Sequence, residues 1–124
     1  MVASGQGFAD ALSIGPCAWA KKVPVLLARP DGTLPDEAVG ALAADAGITR
    51  VVIVGGQAAV PDTIRSQLGD GYAYERVGGA DRYETSRLVA EFAIHNGMSW
   101  RNLGIATGRD FPDALVDSLA GLLP

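Results

Sequence analysis

The chain has 124 residues, of which 48% are hydrophobic and 19% charged, and its formal net charge is −4. This length suits one domain with its own core, and the acidic balance argues against non-specific binding to nucleic acid or to an anionic membrane surface. One cysteine excludes an intrachain disulfide and a multi-thiolate metal site. The sequence contains no apolar run of membrane-spanning length and no recognisable signal peptide.

Short apolar runs alternate with stretches of helical periodicity along the chain. The runs, which are bounded by Gly, Pro or Asp, predict strands at Val2–Ser4, Val23–Ala28, Arg50–Val54, Tyr72–Val77 and Leu103–Thr107. Helices are predicted at roughly 9–20, 35–46, 61–68, 80–96 and 112–121. Nearly continuous apolar strands are typical of a parallel sheet that is covered on both faces. The pattern therefore predicts an α/β three-layer sandwich with a mainly parallel sheet, and leaves the strand order open.

Several residues have roles that local structure explains. Gly47 and Gly97 are placed to end helices in the left-handed conformation. The single histidine, His95, lies near a helix C-terminus, where a cationic ring interacts favourably with the dipole. Cys17 is predicted to be a small core residue. None of these positions indicates catalysis or metal binding.

Residues 2–12 are echoed by residues 105–115, with six of eleven positions identical. The echo predicts that 1–102 form one repeat module and that 103–124 begin the next. Repeated modules usually act by multivalent binding, because an enzyme rarely needs its site in tandem.

The densest polar cluster spans 78–85. Asp81 and Glu84 have the spacing of a capping box, which holds a helix start. Capping leaves Arg82 and Tyr83 unexplained. The Arg82 guanidinium has two open roles, since it can pin the glycine-rich turn or bind an anionic ligand through its two parallel donors.

Four arginines lie near the carboxyl ends of predicted strands: Arg29 follows one strand, Arg76 ends another, Arg82 follows the turn after it, and Arg109 follows the last. Ligands of open parallel sheets bind beyond the carboxyl ends of the strands, so these side chains predict a local anion site, with simple solvation as the alternative. Two further strand–helix turns also have two interpretations. The Gly55–Gly56 turn is either a tight crossover turn that needs positive φ or a loop whose backbone N–H groups bind a phosphate. Asp10, two residues after Phe8, is either a residue that stabilises the helix start or a catalytic carboxylate.

Several motifs occur in order along almost the whole chain: Ser4-Gly5, Phe8-x-Asp10-Ala11-Leu12-Ser13, Pro24-Val25-Leu26-Leu27, Val52-Ile53-Val54-Gly55-Gly56 and Gly79-x-Asp81-Arg82-Tyr83-Glu84-Thr85. Together they resemble the cell wall binding repeat 2 family. The resemblance implies a flavodoxin- or toprim-like α/β module of secreted bacterial surface proteins, including proteins associated with the S-layer, without catalytic activity or a cofactor. It also implies packing of three modules into a triangle and attachment to an anionic cell-wall polymer, for which the candidate contacts are Arg82, Arg29, Arg76, Tyr83 and Asp81.

Two other functions stay open on the sequence. One is a small Rossmann-like enzyme domain that binds a nucleotide or phosphosugar at the turns after 54 and 107. The other is a purely structural surface-layer repeat. Because the chain carries a second copy of one strand–helix start, we also expect it to self-associate as a homotrimer, with a swapped dimer as the alternative.

Overall fold

The computed structural model describes residues 1–101 and 104–110, and its centre is a parallel four-stranded sheet. The strands run in the order β2-β1-β3-β4, and all neighbouring strands pair in parallel. Four helices connect them or follow them. In chain order the elements are β1 (Val2–Ser4), α1 (Ala9–Lys21), β2 (Leu26–Ala28), α2 (Asp36–Ala44), β3 (Arg50–Val54), α3 (Thr63–Leu68), β4 (Ala73–Val77) and α4 (Arg82–His95).

The sheet is covered on both faces, which confirms the predicted three-layer sandwich. Side chains of β3 alternate between the faces, as the strand period of two requires. On one face, α1 and α4 enclose a cluster that contains Ile14, Cys17, Val52, Val54 and Val89. On the other face, the chain around α2 and α3 encloses a second cluster that contains Leu34, Val51, Ile53, Val60 and Ile64.

The second strand is shorter than predicted, since it begins at Leu26 and not at Val23. It is an edge strand that pairs only with the three residues of β1. Pro24 has no backbone N–H to donate, and its carbonyl oxygen accepts a hydrogen bond from the Met1 ammonium at 3.0 Å. The ladder therefore starts where the Leu26 N–H donates to the Met1 carbonyl, at 2.8 Å.

The helix ends follow the prediction in part. Gly97 has φ of +100° just after α4, as predicted. The prediction for Gly47 was wrong, because α2 ends earlier, at Ala44. The Asp45 carboxylate accepts a hydrogen bond from the Gly47 N–H at 2.9 Å, which forms a local turn in place of a glycine cap.

The echo segment is described only between 104 and 110. The predicted strand Leu103–Thr107 was wrong over 104–107, which form no strand, and Leu103 lies outside the described residues. Ile105 is 88% exposed, and a strand needs a neighbouring backbone with which to pair. The predicted helix 112–121 also lies outside the described residues.

The predictions for Cys17 and His95 are confirmed. Cys17 is buried in the core, and His95 occupies the last turn of α4. In the part of the chain that the structure describes, no helix combines the length and apolar character needed to cross a membrane.

Candidate functional site

A cleft of about 320 Å³ opens at the carboxyl edge of the sheet. Ser4 ends β1 at this edge, Pro30 follows β2, Gly56 follows β3 and Gly79 follows β4. The starts of α1 and α4 contribute its other walls. This is the place where open parallel sheets bind their ligands.

Two glycine pairs, one after β3 and one after β4, lie backbone against backbone beside the cleft. Gly55 has φ of +114°, and its N–H donates to the Val77 carbonyl at 2.9 Å. A Cβ on Gly56 would overlap the Gly79 carbonyl oxygen, and a Cβ on Gly78 would overlap the Gly55 backbone. The tight-turn interpretation of the Gly55–Gly56 pair is therefore confirmed, because these positions accept no side chain.

The start of α4 is fixed by the predicted capping interactions. The Asp81 carboxylate accepts from the Glu84 N–H at 2.8 Å, and the Glu84 carboxylate accepts from the Ala80 N–H at 2.9 Å. The Thr85 hydroxyl accepts from the Gly79 N–H at 3.0 Å. The capping box is thus confirmed, with the Glu84 return bond shifted by one residue. These bonds hold Asp81 and Arg82 at the wall of the cleft.

Arg82 is the cation that lines the cleft. Its Cζ atom lies 5.2 Å from the Phe8 ring centroid, which is a cation–π distance. Its Nη1 donates to the Gly108 carbonyl oxygen at 2.6 Å. A guanidinium carries five N–H donors, so this one bond leaves donors for a ligand.

Asp10 faces the same cleft from the first turn of α1. Burial raises the pKa of its carboxyl above the ordinary value, and the charge of Arg82 acts in the opposite direction. A carboxylate here interacts favourably with the N-terminal end of the helix dipole, as the sequence predicted. The cleft therefore combines a half-buried acid, a capping acid and a guanidinium.

The other predicted arginines lie outside the cleft lining. Arg76 is 15% exposed, and its guanidinium donates to the Gly55 carbonyl at 2.8 Å and to the Asp62 carboxylate at 2.7 Å. Arg29 and Arg109 are exposed. The four arginines thus do not converge on one site, and of these only Arg82 lines the cleft, in the part of the chain that the structure describes.

The remaining two candidates are neighbours on α4. Asp81 lines the cleft, whereas Tyr83 is 62% exposed and lies outside its lining. The Tyr83 ring packs close to Gly108, where an added Cβ would lie 2.6 Å from the ring. Sequence reasoning missed Gln6 and gave Asp10 no binding role. The signal was available, because both follow β1 at the carboxyl edge of the sheet.

The side chains of the cleft can bind a ligand that carries hydroxyl or anionic groups. Carboxylates accept hydrogen bonds from hydroxyl groups, and the guanidinium donates to anions. Asp10 and Asp81 are the acids in the lining, and the Asp81 carboxylate is engaged in capping. Among the residues that the structure describes, no group of three His, Cys, Asp or Glu side chains is placed to hold a metal ion.

The family model that matches this chain is described as "Cell wall binding domain 2 (CWB2)", and it matches residues 1–65 and 76–121. The chain is 30% identical over 116 residues to the amidase enhancer of Bacillus subtilis (strain 168). The aligned segment covers 94% of this chain and 15% of that protein. It is 33% identical over 92 residues to N-acetylmuramoyl-L-alanine amidase LytC of the same strain, with 73% of this chain and 18% of that protein covered.

Solved structures give the same picture. Cwp6 from Clostridium difficile matches with a TM-score of 0.65 and 30% identity, over 73% of this chain and 14% of that chain. Cwp8 from Clostridium difficile matches with a TM-score of 0.62 and 31% identity, over 73% of this chain and 16% of that chain. The chain therefore spans less than a fifth of each of these relatives.

Proposed function

This chain belongs to the cell wall binding domain 2 family, and from that premise we propose that it is a non-catalytic module that attaches a surface protein to an anionic polymer of the bacterial cell wall. The observation that carries the proposal is the placement of Arg82. The family-like motif from Gly79 to Thr85 builds a rigid capped turn, and this turn holds one guanidinium in the cleft at the carboxyl edge of the sheet.

Arg82 is the proposed primary contact with the polymer. A hydrogen-bonded guanidinium contact with a phosphate or carboxylate contributes about 1.5–3 kcal/mol. Asp81 and Asp10 accept hydrogen bonds from sugar hydroxyls in the same cleft. Tyr83 and Arg29 are exposed and contact polymer units that extend beyond it.

Arg76 has a supporting part in this proposal. Its bonds to the Gly55 carbonyl and to Asp62 hold the glycine turn beside the cleft. In this proposal Arg76 does not make the polymer contact that the sequence predicted, but holds Gly55 in place beside the cleft.

A single cleft of this kind gives modest affinity for the polymer, and several clefts in tandem repeats raise the overall affinity. We propose that residues 1–102 form one module and that neighbouring repeats of the same protein bind the polymer together. Tethered sites raise the overall affinity by about 10²–10⁴ without any new contact. The relatives of this family include cell wall proteins, so the proposed location of the parent protein is the cell wall at the cell surface.

Retention of the 124-residue chain on purified bacterial cell walls tests this function. The wild-type chain is expected to bind, and its retention should fall as salt increases, because salt screens the contact of Arg82 with an anion. Arg82→Lys keeps the charge but loses the two parallel donors, and should reduce retention at least tenfold, which corresponds to about 1.4 kcal/mol. The matched control is Arg87→Lys, which changes an exposed arginine on the same helix.

Other results would favour the other functions. Absence of retention for the wild-type chain and for a tandem array would favour a structural repeat. Saturable binding of a nucleotide or phosphosugar would favour a Rossmann-like domain. Unchanged retention of Arg82→Lys with a lower melting temperature would make Arg82 a structural residue.

A further inference from the structure

The cleft is built from two stretches of sequence that the family model matches separately. Ser4, Asp10 and Gly56 lie in the first stretch, 1–65, whereas Asp81 and Arg82 lie in the second, 76–121. The motif Phe-x-Asp-Ala-Leu occurs once in each stretch, at 8–12 and at 111–115. The two stretches are therefore two successive copies of the family sequence.

The hydrophobic core is also built from both matched stretches. Helix α4 lies in the second stretch, and its Val89 and Ala93 are buried against the sheet. They share one hydrophobic cluster with Ile14 and Cys17 of α1, which lies in the first stretch. The first helix of one copy thus completes the core of the copy before it.

We propose that the cleft is a composite site, formed where two successive family repeats meet. One repeat supplies the Asp10 wall and the Gly56 turn, and the following repeat supplies the capped turn with Asp81 and Arg82. The folded module, residues 1–102 as proposed above, is then offset from the sequence repeat of the family model, whose second matched stretch already begins at residue 76. An array of repeats then has one complete cleft for each junction between two successive repeats.

Arg82 is the residue that links the two repeats. Its guanidinium stacks on Phe8 of the first repeat and donates to the Gly108 carbonyl of its own repeat. The two contacts join the start of α4 to Phe8, which precedes α1, and to Gly108, which lies in the echo segment. Ligand binding at this junction would therefore depend on the packing of one repeat against the next. The composite assembly stands on geometry, and only its ligand rests on the proposed function.

The Asp10 carboxyl provides the test, because burial raises its pKa while the charge of Arg82 lowers that pKa across the proposed junction. Carboxyl titration by NMR on the full 124-residue chain should give a higher pKa for Asp10 in Arg82→Gln than in the wild type. Arg87→Gln, which removes a charge elsewhere on the same helix, should leave the Asp10 pKa unchanged.

Wall retention provides a second measurement. Asp10→Asn and Arg82→Gln should be non-additive in their effects on binding, whereas Asp10→Asn and Arg87→Gln should be additive. An Asp10 pKa that is the same in Arg82→Gln as in the wild type would overturn the composite cleft. If the Asp10 titration responds as expected but the wild-type chain is not retained on walls, the composite assembly stands and the proposed function fails.

Discussion

Substitution of Gly78 by alanine tests the contact between the two glycine pairs. An added Cβ would fall on the backbone of Gly55, in the turn directly after β3. Backbone atoms held in such a turn cannot move aside as the end of a flexible side chain could. Forcing extra atoms into a packed site costs about 1–3 kcal/mol. For a domain of this size, each kcal/mol lowers the melting temperature by roughly 3–5 °C, so Gly78→Ala should lower it by roughly 3–15 °C.

Thermal unfolding followed by circular dichroism measures this effect, and Gly40→Ala provides the control. Gly40 lies inside α2 with open space around its Cα, so alanine there should stabilise the helix by about 0.5–1 kcal/mol. The two identical substitutions are thus expected to act in opposite directions. A Gly78→Ala protein that melts at or above the wild-type temperature would refute the close packing of the turns.

Three further predictions concern single groups and assembly. Asp10→Asn should raise the melting temperature at pH 7. Burial raises the pKa of Asp10, so the ionised carboxylate lowers the stability of the folded protein. The gain should disappear below about pH 4, where the carboxyl is protonated in both the folded and the unfolded protein. Asp81→Ala should cost about 1 kcal/mol in denaturant unfolding, since the Glu84 N–H loses its acceptor, and an unchanged midpoint would contradict the cap. Light scattering should show that the 124-residue chain self-associates and that a chain ending at Asn102 does not; a monomeric long chain at high micromolar concentration would exclude self-association.

The sequence predicts best those features that local chemistry determines. Val51–Val54 is a continuous apolar run, and the strand Arg50–Val54 that contains it has the predicted bounds. The capping pair of Asp81 and Glu84 depends on residues three apart, so it is also predictable. The echo strand at 103–107 shows the limit, because a sequence pattern does not reveal whether a pairing partner is present.

The cleft was only partly predictable for a similar reason. Arg76 lies on β4, and its guanidinium bonds to Asp62, next to α3, a contact that requires the tertiary fold. The role of Asp10 depends on α4, whose Arg82 comes to the same cleft from a distant part of the sequence. The sequence can predict which residues lie at the same edge of the sheet. It cannot predict which residues from distant parts of the chain they contact.

The most direct test of polymer binding in the cleft is an amide NMR titration of the full chain with a solubilised anionic cell-wall polymer. The amides of Gly7, Gly56, Gly79 and Ala80 should shift together, and the shifts should be weaker at high salt and in Arg82→Gln. Gly71, which lies away from the cleft, should not respond. Shifts confined to other surfaces, or the same shifts in wild type and Arg82→Gln, would contradict binding at this site.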